Sequence, residues 1–159
     1  MNTKKYVKAN IVEINHLDLY QGGSIDKLDN VLKDIIEKEA PVTLNIIKER
    51  LRECFKIASI KENLLNIILE RLDKLGFYYE NELYDRVYYK TKDKVDMNYL
   101  RVDYKRDIYD YPFVELKNLV LNFDTKESDL YYDILHYFGL KRLTKKAEDY
   151  LKYIERNIK

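Results

Sequence analysis

At 159 residues, with 46% hydrophobic and 36% charged, the chain is long enough to bury a core and too apolar to be disordered throughout. Its 29 Lys and Arg offset 28 Asp and Glu to a formal net charge of +1. That excludes a whole-protein electrostatic pull on nucleic acid or membrane and leaves only a local patch. The single cysteine, Cys54, excludes an internal disulfide and a cysteine-based zinc site.

Residues 1–24 carry cations but no long apolar run or small-residue cleavage site, so they do not read as a signal peptide. Nowhere is there the run of about 18 apolar residues that a membrane span needs, and a cytoplasmic protein is expected. Sixteen tyrosines accompany abundant Lys, Ile and Asn, which fits an AT-rich genome and discounts tyrosine abundance as a functional sign. The segment reads as a flexible N-terminal stretch with a β-like run at Tyr6 to Val12 and a turn at Gln21 to Ser24.

Ser24 then suits the N-cap of a first helix ending near Glu39, with Ile25, Leu28, Val31, Leu32, Ile35 and Ile36 at helical spacing. Pro41 ends it by biasing Ala40 towards extended geometry. Pro41 and Val42 form a short extended link, and Thr43 caps a second helix through Phe55 that turns Ile46, Ile47, Leu51, Cys54 and Phe55 inward. Lys56 to Ser59 is a turn. Ser59 and Glu62 have capping-box spacing for a third helix, and Gly76 supplies its left-handed stop.

Phe77 to Tyr79 and Val87 to Tyr89 read as paired strands around a polar tip, Glu80 to Arg86, and Tyr99 to Tyr104 as a third strand. Pro112 fits the first turn of a fourth helix carrying Phe113, Leu116, Leu119, Val120 and Phe123. Asp124 and Glu127 repeat the capping-box spacing for a fifth, which Gly139 stops. A sixth starts at Thr144, with Ala147, Tyr150, Leu151, Ile154 and Ile158 on its buried side. The expected fold class is α+β, mostly α: a winged-helix-like unit over 25–104 with a small antiparallel β-hairpin, and a C-terminal three-helix extension over 105–159 packed on it.

An offset of 83 positions lays Phe138 on Phe55, Leu140 on Ile57 and Leu151 on Ile68, so the chain contains two helix-turn-helix hairpins of matching apolar spacing. The blocks from Glu39 to Phe77 and from Tyr111 to Ile158 also carry a resemblance. They look like the uncharacterised C-terminal domain of large bacterial helicase-like proteins, in which superfamily 1 helicase motifs precede a Vsr-like endonuclease domain. Glu39 and Pro41 match the family's acidic residue and proline; Phe138, Gly139, Leu140, Lys141, Arg142 and Thr144 match the end of its second block. The resemblance covers about residues 30–158 and implies a helicase-associated, DNA-binding role in helicase or restriction-type systems, with a helicase or nuclease as partner.

The exposed face of the third helix, Glu62, Asn63, Asn66, Glu70 and Asp73, is acidic and argues against that helix as a major-groove reader. Lys141, Arg142, Lys145 and Lys146 instead surround the start of the last helix, where the macrodipole is already positive and a bound phosphate would account for them. The bland reading is a solvated face, in keeping with the i, i+4 pairs Glu148–Lys152 and Glu155–Lys159. The hairpin interleaves Tyr78, Tyr79, Tyr84, Arg86, Tyr88 and Lys90 as single-strand stacking surfaces do, although alternate positions must face a core.

No acid–base pair or metal cage stands out, and His136 reads as a semi-buried side chain on a helix. The sequence therefore points to a non-catalytic module that needs no cofactor. It would bind DNA or RNA through phosphates at Lys141, Arg142, Lys145 and Lys146 with Tyr84, Arg86 and Lys90. The alternative is a protein-interaction or dimerisation module on the same scaffold.

Overall fold

The computed structural model describes residues 1–93, 96–123 and 127–158. The fold is mixed α+β and mostly helical, with seven α-helices and five short strands among the described residues. Contacts divide it into two compact units, Val7–Asn81 with Asp85–Lys94, and Met1–Tyr6 with Glu82–Tyr84 and Val95–Lys159. The expected boundary at 104/105 falls inside the second of these.

The first unit runs α1 (His16–Leu19), α2 (Ile25–Glu39), β2 (Val42–Thr43), α3 (Leu44–Phe55), α4 (Glu62–Lys74), β3 (Tyr78–Asn81) and β4 (Arg86–Tyr89). The apolar stripes predicted for α2 and α3 are buried: Leu28, Leu32 and Ile35 on α2, and Ile47, Leu51 and Cys54 on α3, are fully enclosed. Burial pushes the Cys54 thiol pKa up, as expected of a packed rather than nucleophilic cysteine. Thr43 caps α3 by accepting the Ile46 N–H at 3.3 Å. Strand β4 is central in an antiparallel sheet of order β2-β4-β3, with Tyr79 opposite Tyr88 and Val42 opposite Tyr88.

Polar ties reinforce this unit, among them an Arg71–Asp29 pair at 2.9 and 2.7 Å between α4 and α2. Buried Arg50 donates to Glu39 through Nε at 2.8 Å and Nη2 at 2.7 Å, and Glu39 also accepts the Ala9 N–H at 3.0 Å. Asp85 accepts the Asn45 N–H at 2.8 Å and the Arg86 N–H at 2.9 Å, placing a carboxylate on the first turn of α3.

Several local expectations are corrected. Ser24 does sit at the N-cap of α2, but with φ 61 it makes no capping bond and its hydroxyl pairs with Asp18 instead. The Ser59–Glu62 capping box does not form, because α4 begins at Glu62 itself, behind Lys61, with no side-chain cap. Extended pairing at the N-terminus lies at Thr3–Lys5 rather than Tyr6 to Val12. The run Tyr99 to Tyr104 narrows to β5 (Leu100–Val102) and pairs in parallel with β1 (Thr3–Lys5), not with the hairpin. The N-terminal backbone supplies the edge that β5 needed. Gly76 does stop α4, with φ 80 and the Phe77 N–H bonded back to the Leu72 carbonyl.

The second unit contains β1, β5, a single 3₁₀ turn at Ile108–Asp110, α5 (Phe113–Asn122), α6 (Glu127–Tyr137) and α7 (Lys145–Ile158). Its core gathers Leu100, Leu116, Leu119, Ile134, Leu151 and Ile154. Fully buried Glu115 accepts the Arg101 N–H at 2.7 Å, Arg101 Nη2 at 2.9 Å, and Arg106 Nη1 and Nη2 at 2.8 and 2.7 Å. Pro112 is the N-cap of α5, one residue ahead of the expected first-turn position. Asp124, and with it the expected Asp124–Glu127 capping box, lies outside the described residues. Gly139 has φ 68 at the end of α6, and Thr144 caps α7 by accepting the Ala147 N–H at 3.1 Å.

Candidate nucleic-acid interface

The residues singled out in the sequence divide between the two units. Arg86 and Lys90 belong to the first. Arg86 lies 4.3 Å from the Tyr79 ring centroid and donates to the Tyr88 hydroxyl at 3.3 Å, while Lys90 pairs with Glu37 at 3.6 Å. Tyr88 and Tyr89 are consecutive and both buried, so those hairpin aromatics are packing and β4 is covered on both faces rather than alternating between core and solvent.

Tyr84, Lys141, Arg142, Lys145 and Lys146 belong to the second unit, and there the structure joins Tyr84 to Lys146. The Tyr84 hydroxyl donates to the Lys146 carbonyl at 3.1 Å. The Lys146 ammonium stands 4.0 Å from the centroid of the Tyr109 ring and 5.0 Å from that of Tyr84. Tyr109 meets Tyr84 edge-on at 5.5 Å and Tyr150 at 5.4 Å, so the three rings form one tier beneath the lysine. Tyr150 anchors it: its hydroxyl donates to the Tyr111 carbonyl at 3.0 Å, and burial raises its phenol far above the usual tyrosine value, keeping it neutral. Sequence reasoning missed Tyr109, whose place in the 3₁₀ turn gives no periodic signal.

The other three cations differ in what they are free to do. Lys145 reaches Asp149 at 3.1 Å along one face of α7. Lys141 and Arg142 are exposed in the turn before α7 and have no ionic partner among the described residues. Glu148 takes Lys152 at 2.7 Å, the expected i, i+4 pair, whereas the Glu155–Lys159 pair lies outside the described residues. The acidic face expected of α4 is present, with Glu62, Asn63, Asn66, Glu70 and Asp73 all exposed.

Beside the tyrosine tier, Leu83 and Tyr84 form one wall of a cleft of about 660 Å³ whose other residues are Asp149, Lys152, Glu155 and Arg156 of α7. His136 is exposed rather than semi-buried, because its position on α6 faces away from Ile134 and Leu135. Among the described residues, no group of three His, Cys, Asp or Glu side chains is arranged to hold a metal ion, and no helix is long and apolar enough to cross a membrane. Compared with known proteins, the chain matches no family model, no curated protein and no solved structure.

Proposed function

We propose that the chain is a non-catalytic nucleic-acid-binding module that holds phosphates at the turn between α6 and α7. The observation that carries this reading is the pair Lys141 and Arg142, exposed and without counter-ions among the described residues, beside Lys145 and Lys146 at the positive end of a 14-residue helix. Cations are mildly destabilising at that end unless an anion offsets them, and a phosphate backbone supplies anions in series.

The scaffold we propose is winged-helix-like. The chain order α2, β2, α3, α4, β3, β4 and the sheet order β2-β4-β3 support it, with β3 and β4 as the wing. The acidic exposed face of α4 speaks against base reading in the major groove, which leaves sequence-independent phosphate contacts as the mode. The resemblance to the helicase-associated domain suggests a helicase or nuclease encoded separately as the working partner.

The test is fluorescence anisotropy with labelled DNA and RNA over a salt series. Binding should weaken linearly on log–log axes, and Lys141→Glu with Arg142→Glu should cut affinity at least about tenfold and lower the slope by roughly 1.5 to 2. No binding at low salt would sink the reading. The exposed Tyr132, Tyr137, Leu140 and Leu143 favour a second reading, a dimerisation or protein-interaction module, for which a mass above that of one chain in light scattering is the signature.

A further inference from the structure

The cleft beside α7 has a composition that phosphate binding alone does not explain. Leu83 and Tyr84 are large apolar side chains left 42% and 40% exposed at the tip between β3 and β4. They face a charged stripe of α7: Asp149, Lys152 and Arg156 follow Lys145 at i+4, i+7 and i+11, the spacing of one helix face. Tyr84 is held rather than merely exposed. Its hydroxyl is tied to the Lys146 carbonyl and its ring rests on Tyr109 and Tyr150, so little side-chain freedom remains to be lost when a ligand meets it.

The polar wall is organised in the same sense. Asp149 is steadied by Lys145, and Glu155 accepts the Tyr131 hydroxyl at 3.1 Å, so both carboxylates keep acceptor capacity for amine donors. Arg156, at the far end, is exposed and has no ionic partner among the described residues. A fixed aromatic ring, carboxylate acceptors opposite it, Arg156 at the far end of the stripe and exposed Lys141 and Arg142 in the turn before it fit one ligand chemistry: a planar base carrying amino groups, flanked by phosphates.

Resting on the phosphate-binding reading above, we infer that the cleft lined by Leu83, Tyr84 and α7 takes an unpaired nucleotide base stacked on Tyr84, making the module one that prefers single-stranded nucleic acid. Duplex DNA keeps its base faces covered and can use only Lys141, Arg142 and their neighbours. A single strand uses these and the cleft together.

The experiment compares a labelled single-stranded oligonucleotide with its own duplex, at low salt, on the full chain. The single strand should bind at least about fivefold tighter than the duplex, and Tyr84→Ala should remove about tenfold of single-strand affinity, a clearly larger loss than the one it causes in duplex binding through Lys146. Because Tyr84 also packs, circular dichroism must show a folded variant. Arg156→Glu, at an exposed position, is the second variant and should weaken single-strand binding more than duplex binding. Equal affinity for the two forms, or single-strand binding unchanged in a folded Tyr84→Ala or in Arg156→Glu, overturns base stacking but leaves the phosphate reading standing. Failure to bind either form at low salt overturns both.

Discussion

Each unit holds one helical hairpin and one buried ion cluster, and in both respects the two units solve the same problem with different residues. The hairpins α3/α4 and α6/α7 share a joint. Lys56 has φ 56 and Gly139, 83 positions later, has φ 68. The next residue in each, Ile57 or Leu140, donates its N–H back to Arg52 or Leu135, at 3.2 and 2.8 Å. What the joints present differs: an acidic face on α4, and the Lys141 to Lys146 cations before and into α7. Backbone geometry is set by the apolar spacing and the left-handed residue, while the exposed positions are free to carry opposite charge. Matching geometry therefore does not imply matching function.

The ion clusters differ more sharply. Glu39 and Arg50 are one anion and one cation, each fully buried. Glu115 faces two cations, Arg101 and Arg106, and aromatic rings take part as well: Arg106 lies 3.8 Å from the Tyr111 centroid and 4.7 Å from that of Tyr6. The largest predicted effect exploits this. Glu115→Ala takes a shared carboxylate from two buried guanidinium groups and should cost at least about 3–5 kcal/mol, more than Glu39→Ala, which takes one from a single guanidinium. Urea unfolding followed by circular dichroism measures both, and equal losses would break the comparison.

The same cluster sets the acid limit. Burial alone would push the Glu115 carboxyl up, but its hydrogen bonds and charges from Arg106 and Arg101 outweigh that and hold it below the usual carboxylate range. A carboxyl depressed in the folded state contributes stability above its unfolded pKa of about 4.3 and loses it as pH falls through the folded value. The urea midpoint should therefore drop below about pH 4, and less steeply in Glu115→Gln.

How far the sequence could be read follows from which interactions are local. Helix α2 was legible end to end, because Ile25 to Glu39 repeats at helical spacing and Pro41 closes it. Gly76 and Gly139 were legible because a left-handed residue is a local requirement. Lys56 was not, since lysine gives no sign of adopting that conformation. The pairing of β1 with β5 joins residues about a hundred apart, and neither three-residue strand announces its partner. The Glu115 cluster was invisible for the same reason: charged residues at 101, 106 and 115 look like surface until a fold encloses them. In the candidate site the basic turn could be found from composition, whereas the tier of Tyr84, Tyr109 and Tyr150 needs three distant segments brought together.

A smaller effect tests whether the two joints are equivalent. A Cβ at Gly139 would touch nothing within 4 Å, so Gly139→Ala isolates the cost of a left-handed backbone, about 1–2 kcal/mol. Lys56→Gly should move stability the other way by about 0.5–1 kcal/mol, strain relief being partly offset by the greater freedom of glycine in the unfolded chain. The Lys56–Glu13 pair at 3.4 Å is lost too, but both side chains are exposed and screened by salt. If thermal unfolding shows both substitutions destabilising, Lys56 is held by contacts that the joint in α6/α7 lacks.

The smallest effect concerns how the second helix of each hairpin begins. Thr144 caps α7, with its hydroxyl accepting the Ala147 N–H at 3.1 Å. At the corresponding place Lys61 already has the extended backbone of an N-cap, φ −84 and ψ 168, yet gives no side-chain bond to α4. Lys61→Ser should therefore add about 0.5 kcal/mol and Thr144→Ala remove about 1 kcal/mol. The asymmetry is expected because the Thr144 hydroxyl also touches Tyr109, so its loss reaches the tyrosine tier as well as the helix end. Measuring nucleic-acid affinity alongside stability separates the two routes: Lys61→Ser should leave binding unchanged, and Thr144→Ala should weaken it modestly by loosening the start of α7 under Lys145 and Lys146.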